Sequence, residues 1–454
     1  MTALAILVVL TAINFLNYLD RYVLSAVLEP LSGELLLSDD ESGFLATAFM
    51  AVYMVAAPFG GHLGDRWSRH KIAAIGVALW SLATIGTGTA DDYSTLLFMR
   101  AAVGIGEAGY ATVAPSVIAD LFRPKERGRK LAYFYLAIPM GSALGYLVGG
   151  AIGQEHGWRA AFWVAGIPGL VFAVIAWFLP EPRRGGTETG DVVFDKPDPS
   201  AKVARSLEDA APMSEAAREV VSSRAWRANT VGTTLMTFAM GGIAFWMPSY
   251  LVRDHSLELG EANMIFGGLT VVAGLIGTLV GGFLGDKAYA KGEGGYFRVS
   301  GWGLLLGAPF ALLMPYAGVP VLVFTLAFFA ELLLFLNTGP LNAALVACVR
   351  PHMRARAVAI NVFFIHALGD AISPWLMGLV SEQANLALAI ALTGIPIAVG
   401  GIVLIRAAQV HAREGLLPAG SGNKPPPNKG KPPSKGKPAG KAKITQLGAG
   451  RRHG

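Results

Sequence analysis

Asn14-Phe15-Leu16-Asn17-Tyr18-Leu19-Asp20-Arg21-Tyr22 sits in the middle of an apolar run from about residue 3 to residue 28. In water this would be an ordinary polar patch. Inside a membrane span it is expensive, because an Asp or Arg near the centre of a lipid-embedded helix costs roughly 2.5 to 3.5 kcal/mol. Asn14, Asn17 and Arg21 fall at i, i+3 and i+7, with Asp20 three after Asn17, so helical geometry turns all four toward one side. That side needs water or a partner.

Composition supports a membrane reading of the whole chain. Of 454 residues, 53% are hydrophobic and only 15% charged, with a mean hydropathy of +0.49, whereas soluble chains are about a quarter charged. The 56 glycines fit helices that approach closely in lipid. One cysteine, Cys348, excludes an intrachain disulfide and a cysteine metal cluster; no metal and no cofactor is expected. The net charge of +6 comes from the tail: residues 420–454 hold nine Lys/Arg and no acid, leaving an excess of acids elsewhere. Such a Pro/Gly/Lys-rich arm reads as disordered and suited to anionic headgroups, with no role toward nucleic acid. The first apolar run starts almost at Met1, with no basic region before it and no small-residue cleavage site before Asn14. We read it as a retained first span and expect a longer native N-terminus.

Apolar stretches fall at about 3–28, 42–63, 71–90, 94–119, 128–153 and 160–180, then at 228–252, 261–286, 297–316, 319–348, 355–380 and 386–409. Each has the length a bilayer requires. The expected architecture is therefore all-α: an N-terminal six-helix bundle (1–180), a polar linker (181–227), a C-terminal six-helix bundle (228–409) and a disordered basic tail (410–454). Turns after spans two, four, eight and ten carry Arg66, Arg69 and Lys71; Arg123 to Lys130; Lys287, Lys291 and Arg298; and Arg350, Arg354 and Arg356. The opposite turns carry mainly acids, Glu34, Asp39, Asp40, Glu41, Asp91 and Asp92. Positive charge collects on the cytoplasmic side, which predicts cytoplasmic termini and linker.

The halves repeat. Gly61-His62-Leu63-Gly64-Asp65 ends span two, and Gly282-Phe283-Leu284-Gly285-Asp286 ends span eight, 221 residues later. Pro124, Arg127 and Arg129 recur as Pro351, Arg354 and Arg356, 227 residues later. Two motifs at nearly the same offset and the same topological place indicate parallel repeats.

The loop Gly61 to Lys71, with Asp65, Arg66 and Arg69, resembles the signature loop of the major facilitator superfamily, with Ser68 where glycine is commoner. A narrower resemblance, to the Spinster family, rests on Asn17 to Tyr22, on Gly104-Ile105-Gly106-Glu107-Ala108-Gly109-Tyr110 with Ala114-Pro115-Ser116, and on Ala137 to Tyr146. It covers residues 3–409 and implies a twelve-span fold with pseudo-two-fold symmetry. It further implies a transporter, since better-known members export sphingosine-1-phosphate or move lysophospholipids, coupled to protons. The compact linker suggests a prokaryotic member in a bacterial inner membrane, expected to act as a monomer.

Arg100 and Glu107 lie two turns apart on one face of span four. Intramembrane ionisable groups line substrate or proton paths more often than they merely fix packing, so Glu107 is the first candidate for proton coupling and Asp20 the second. Arg21 and Arg100 are candidate anchors for a phosphate or carboxylate, which a guanidinium fork fits bidentately, with Asn17 and Tyr18 beside them. The second half offers an aromatic lining, Phe238, Phe245, Trp246, Tyr250, Phe363 and Phe364, of which Phe245, Trp246 and Phe364 are taken as substrate-facing, with sparser polar groups at Glu331, Asn337, Asn342, His366 and Asp370. His366 reads as a core histidine. Charges on one wall and rings on the other suit a lipid-like or anionic amphiphile; the alternative is a proton-coupled carrier of a small organic anion or drug. A membrane enzyme is disfavoured because no metalloprotease, nucleophile-elbow or phosphate-loop motif is present.

The gate is a separate expectation. Asp65 would cap the N-terminus of span eleven, Arg69 with Arg127 or Arg129 would complete a charge cluster, and Asp286 would act likewise against span five. Gly61 and Gly64 would let spans two and eleven touch, and Gly141, Gly145 and Gly149 would form a smooth moving face.

Overall fold

The computed structural model describes residues 2–183, 218, 220–292, 294–349 and 354–414. Most of the expected linker, the tail beyond residue 414 and the side chain of Asp65 lie outside the described residues.

Among the described residues, twelve helical rods follow one another. Span one is Ala3–Ala26 continued by Leu28–Leu35, span two Asp39–Arg66, span three Arg69–Thr87, span four Tyr93–Leu121, span five Pro124–Tyr135 with Ala137–His156, and span six Trp158–Trp177. Span seven is Arg224–His255, span eight Leu259–Tyr289, span nine Gly295–Leu313, span ten Pro320–Phe335 with Thr338–Ala347, span eleven Arg354–Ile365 through Ser373–Gln383, and span twelve Leu386–Leu392 with Gly394–Glu414. Ten of them are long and apolar enough to cross a membrane by themselves; spans three and four are the exceptions. Span four carries Arg100 and Glu107 in its interior and depends on its neighbours to shield them.

Local chemistry sets the ends. Ser38 and Glu41 form a capping box at the start of span two, each satisfying an orphan amide of the other. Asp92 caps span four by accepting from Thr95 N at 2.9 Å. Span one runs further than expected: it breaks at Val27, three residues before Pro30, and continues to Leu35, so Glu34 is helical rather than part of the turn.

Packing repeats between the halves. Span one lies on five and six, three on four and six, and two on four; in the second half, seven lies on eleven and twelve, nine on ten and twelve, and eight on ten. Each pairing maps onto its counterpart when six is added to the span number, which is the pseudo-two-fold relation of two six-helix bundles. Across the halves, span five meets eight and span two meets eleven. These two contacts are also equivalents of one another.

Glycine sets the closest approaches. A Cβ on Gly145 would stand 2.5 Å from the Leu19 carbonyl oxygen, and one on Gly76 would stand 2.6 Å from that of Gly106; with no side chain in the way, the helices touch backbone to backbone. The face formed by Gly141, Gly145 and Gly149 thus packs span five onto span one inside the first half.

Candidate functional site

Span one presents its polar residues in three directions. Asn14 Nδ2 donates to the Phe134 carbonyl at 3.1 Å, tying span one to span five. Asp20 accepts from the Thr84 hydroxyl at 2.5 Å, on span three. Arg21 Nε donates to Glu107 Oε2 at 2.6 Å, on span four. The helical wheel put the four on one side; in the fold they fan across an arc wide enough to reach three neighbours.

Arg21 and Glu107 form the centre. Glu107 is fully buried and Arg21 is 16% exposed, so one end of the pair touches solvent while the other is sealed. The guanidinium lies 4.9 Å from the Tyr18 ring centroid, 5.2 Å from Phe49 and 5.1 Å from Tyr53. Desolvated cation–π contacts of this kind hold a guanidinium where few anions remain to do so. Asn17 adjoins Glu107, yet its amide nitrogen makes no hydrogen bond, and Glu107 Oε1 is also unpartnered.

Arg100 is buried, 5.2 Å from the same Phe49 ring, and its Nε and Nη1 have no hydrogen-bond partner. Asp20 is its electrostatic neighbour, but Asp20 Oδ1 is unpartnered as well. A buried guanidinium with unused donors is costly. It also provides a fork for a planar or tetrahedral anion.

The second half contributes differently from the aromatic wall expected. Trp246 is fully buried and its indole N–H donates to the Pro374 carbonyl at 2.8 Å, with Phe245 edge-on at 5.2 Å. Phe364 stands between Trp226 and Phe363, at 6.4 and 5.8 Å. Phe238 lines a separate apolar cleft of about 370 Å³ with Leu235, Met377, Val380 and Pro396; no charged side chain lines it. His366 is not a core histidine: it is 28% exposed and bonds Asp370 at 2.9 Å, in a π-type turn of span eleven. Reading the sequence gave little weight to Glu331 on span ten, which is buried with Oε2 unpartnered and within electrostatic reach of Tyr22 and Tyr146.

At the end carrying the basic loops, Arg69 joins spans three, four and six. It donates to Asp120 at 2.6 Å, Glu181 at 2.7 Å and the Pro182 carbonyl at 2.9 Å, and His70 adds a 2.9 Å contact to Glu181. Burial works against the Glu181 anion, but His70 and Arg69 outweigh it and hold the carboxyl down at about 2. Arg69 is thus engaged within the first half. Arg127 is half-buried and Arg129 exposed. Asp286 is exposed and accepts from the Tyr296 hydroxyl at 3.1 Å. Gly64 packs on Val113 of span four, while a Cβ on Gly61 would meet nothing within 4 Å, so spans two and eleven do not close here through these two glycines.

The other end is closed. Arg253 on span seven reaches Glu29 at 2.7 Å and Asp39 at 2.8 Å across the halves, and Asp39 also accepts from Ser381 at 2.5 Å. Gln154 bridges Glu258 and the amide of Gly260. Nearby, the Trp158 indole N–H donates to Glu34 at 2.8 Å and the Arg159 guanidinium pairs with the same carboxylate. None of these cross-half ties is among the expectations drawn from the sequence.

The sequence profile of the Major Facilitator Superfamily matches residues 10–374. Protein spinster homolog 1 of Homo sapiens is 34% identical over 404 residues, covering 83% of this chain and 73% of that protein. The chain belongs to the Spinster proteins of the major facilitator superfamily. Protein spinster of Drosophila melanogaster is 35% identical over 385 residues, 82% of this chain, and the chain spans 61% of that longer relative. Among solved structures, an inward-facing, unoccupied bacterial homologue of the human lysosomal transporter Spinster superposes with a TM-score of 0.74 at 24% identity, covering 90% of this chain and 95% of that one. A D-xylose–proton symporter superposes at 0.68 and 17% identity, covering 92% and 98%. These set the fold as that of an alternating-access transporter, and the chain is a transporter rather than an enzyme.

Proposed function

We propose that this Spinster-family chain is a proton-coupled carrier of an amphiphilic lipid with an anionic headgroup, of lysophospholipid or sphingoid-phosphate type. The observation that carries the reading is Arg100, buried against Phe49 with two unused donors, beside an Arg21–Glu107 pair whose guanidinium lies among Tyr18, Phe49 and Tyr53. In this reading a headgroup binds the guanidinium fork while the tail lies along apolar side chains between the halves.

Coupling follows from competition. Arg21 pairs with Glu107; protonating Glu107 removes that partner and frees Arg21 for the substrate anion. One arginine shared by two claimants links the two binding events reciprocally. Asp20, beside Arg100, is the second proton-binding candidate. Asp65, Arg69, Arg127, Arg129 and Asp286 are assigned to the gate at the basic-loop end. With basic loops on the cytoplasmic side, both termini are cytoplasmic and this structure is closed outward. We place the protein in a bacterial inner membrane as a monomer, with the linker at 181–227 joining bundles 1–180 and 228–409 and a basic tail from 410.

The test is a thermal-shift screen of the purified protein against lysolipids, sphingoid phosphates and small organic anions, followed by proteoliposome transport of each hit. Stabilisation by single-chain phospholipids with pH-dependent transport is expected. Transport confined to small anions, or unaffected by a pH gradient, would replace this reading.

A further inference from the structure

Two prolines in the spans leave two backbone carbonyls without their helical donors. Pro30 has no N–H to give Ala26 O, four residues earlier, and Pro248 has none for Ala244 O. In a membrane such a carbonyl requires another partner. In both cases the partner comes from the opposite half: Asn263 Nδ2 of span eight donates to Ala26 O at 2.9 Å, and the Tyr146 hydroxyl of span five donates to Ala244 O at 2.5 Å. Ser25, on span one, donates to Phe245 O at 2.6 Å and to Ala244 O at 3.1 Å.

We infer that Ala26 O and Ala244 O, freed by Pro30 and Pro248, are the acceptors of a cross-half latch in which Tyr146, Ser25 and Asn263 are the positioning residues for alternating access. These bonds do more than pack the halves together. First, the donors are side chains of one half and the acceptors backbone of the other, so the bonds exist only while the acidic-loop end is shut. Opening that end exposes two carbonyls that their own helices cannot satisfy, and water entering the opened cleft must replace the donors. Second, the latch touches the charged site. Tyr22, next to Arg21, packs edge-on against Tyr146 at 5.0 Å, and Tyr146 packs on Phe266 of span eight at 5.3 Å. A ligand that displaces Tyr22 therefore acts on the Tyr146 bond, giving occupancy a direct route to the gate.

The test uses the full chain in lipid nanodiscs on a Cys348→Ser background, with spin labels at Leu36→Cys and Ser256→Cys, both exposed at the acidic-loop end. Tyr146→Phe removes the donor, and Pro248→Ala supplies an intrahelical N–H that competes for the acceptor. Each is expected to raise the long-distance population two- to tenfold, the range of one net hydrogen bond. In the Pro248→Ala background, Tyr146→Phe is expected to add less than twofold, because both remove one bond; Asn263→Leu with Pro30→Ala should behave alike. Fully additive shifts would mean that the prolines act only as kinks and would overturn the inference. Should a proline variant fail to insert, Tyr146→Phe and Asn263→Leu decide alone: an unchanged distance distribution in their double variant refutes the latch.

Discussion

Arg21 Nε donates to Glu107 Oε2 at 2.6 Å, joining spans one and four, while the carboxylate next to it in sequence, Asp20, turns to Thr84. The arginine thus pairs with a carboxylate 86 residues away instead of its neighbour. Removing one member of a buried pair strands the other charge, at a cost of about 3 to 5 kcal/mol. Arg21→Met should therefore lower the melting temperature sharply, and the double variant Arg21→Met/Glu107→Gln should recover much of the loss. Thermal unfolding in detergent measures this; a double variant no more stable than Arg21→Met would mean that the pair is not a coupled unit.

Glu107→Gln keeps the shape and an acceptor for Arg21 but removes the titratable group. In proteoliposomes it should retain downhill exchange and lose acceleration by an imposed pH gradient. If uphill, gradient-driven transport persists at the wild-type rate, proton coupling belongs elsewhere, with Asp20→Asn the next variant to measure.

Arg100→Ala removes the fork with two unused donors. A charged hydrogen bond contributes about 1.5 to 3 kcal/mol, so affinity for an anionic-headgroup lipid should fall roughly ten- to a hundredfold, while the same tail on a neutral headgroup should bind nearly as before. Titration calorimetry or quenching of intrinsic tryptophan resolves the two cases, and equal losses for both lipids would remove the anchor role.

How much of this was legible in the sequence differs by feature. Spans, halves and charged residues follow from hydropathy and motif spacing, because the bilayer enforces length and penalises each intramembrane charge. Partners do not follow. A helical wheel shows that Asn14, Asn17, Asp20 and Arg21 share an arc, but whether a side chain meets Phe134, Thr84 or Glu107 depends on which helix stands at each edge of that arc. The glycines of span five illustrate the same limit: their spacing announces a close neighbour and leaves open whether it is span one or the other half. The ties at the acidic-loop end were hidden for another reason, since Tyr146, Ser25 and Asn263 are unremarkable residues whose acceptors are backbone atoms. Pro30 and Pro248 are the readable signal, each pointing to a carbonyl four residues earlier.

Arg253 bridges Glu29 and Asp39 at the closed end, and all three are partly solvent-accessible, with side-chain exposures of 30%, 19% and 14%. Ion pairs near water contribute at most about 1 kcal/mol each, so Arg253→Ala, which breaks both, should shift the open population at this end by less than about thirtyfold and lose its effect in high salt. The charge-reversed set Arg253→Glu with Glu29→Arg and Asp39→Arg should restore much of the closed state. Distance measurements across this end decide it, and a shift insensitive to salt would assign the effect to packing of Arg253 on Trp246.

Glu181 provides the pH prediction. His70 and Arg69 lower its carboxyl from the ordinary 4.5 to about 2 in the folded protein despite partial burial. A folded-state value below the unfolded one means that the unfolded chain takes up the proton first. The stabilisation is therefore complete above about pH 4.5 and is lost as the pH falls from there toward about 2. Glu181→Gln should lower the melting temperature at neutral pH and flatten its decline over that acid window, because Gln has no proton to gain. Because solvent reaches part of the carboxylate, the loss should be smaller than the full shift implies. Melting curves of both proteins from pH 7 to pH 3 test this: parallel acid limbs would show that the Arg69–His70–Glu181 network does not supply the acid sensitivity, and a Gln variant as stable as the parent at pH 7 would show that the network does not fasten span six to spans three and four.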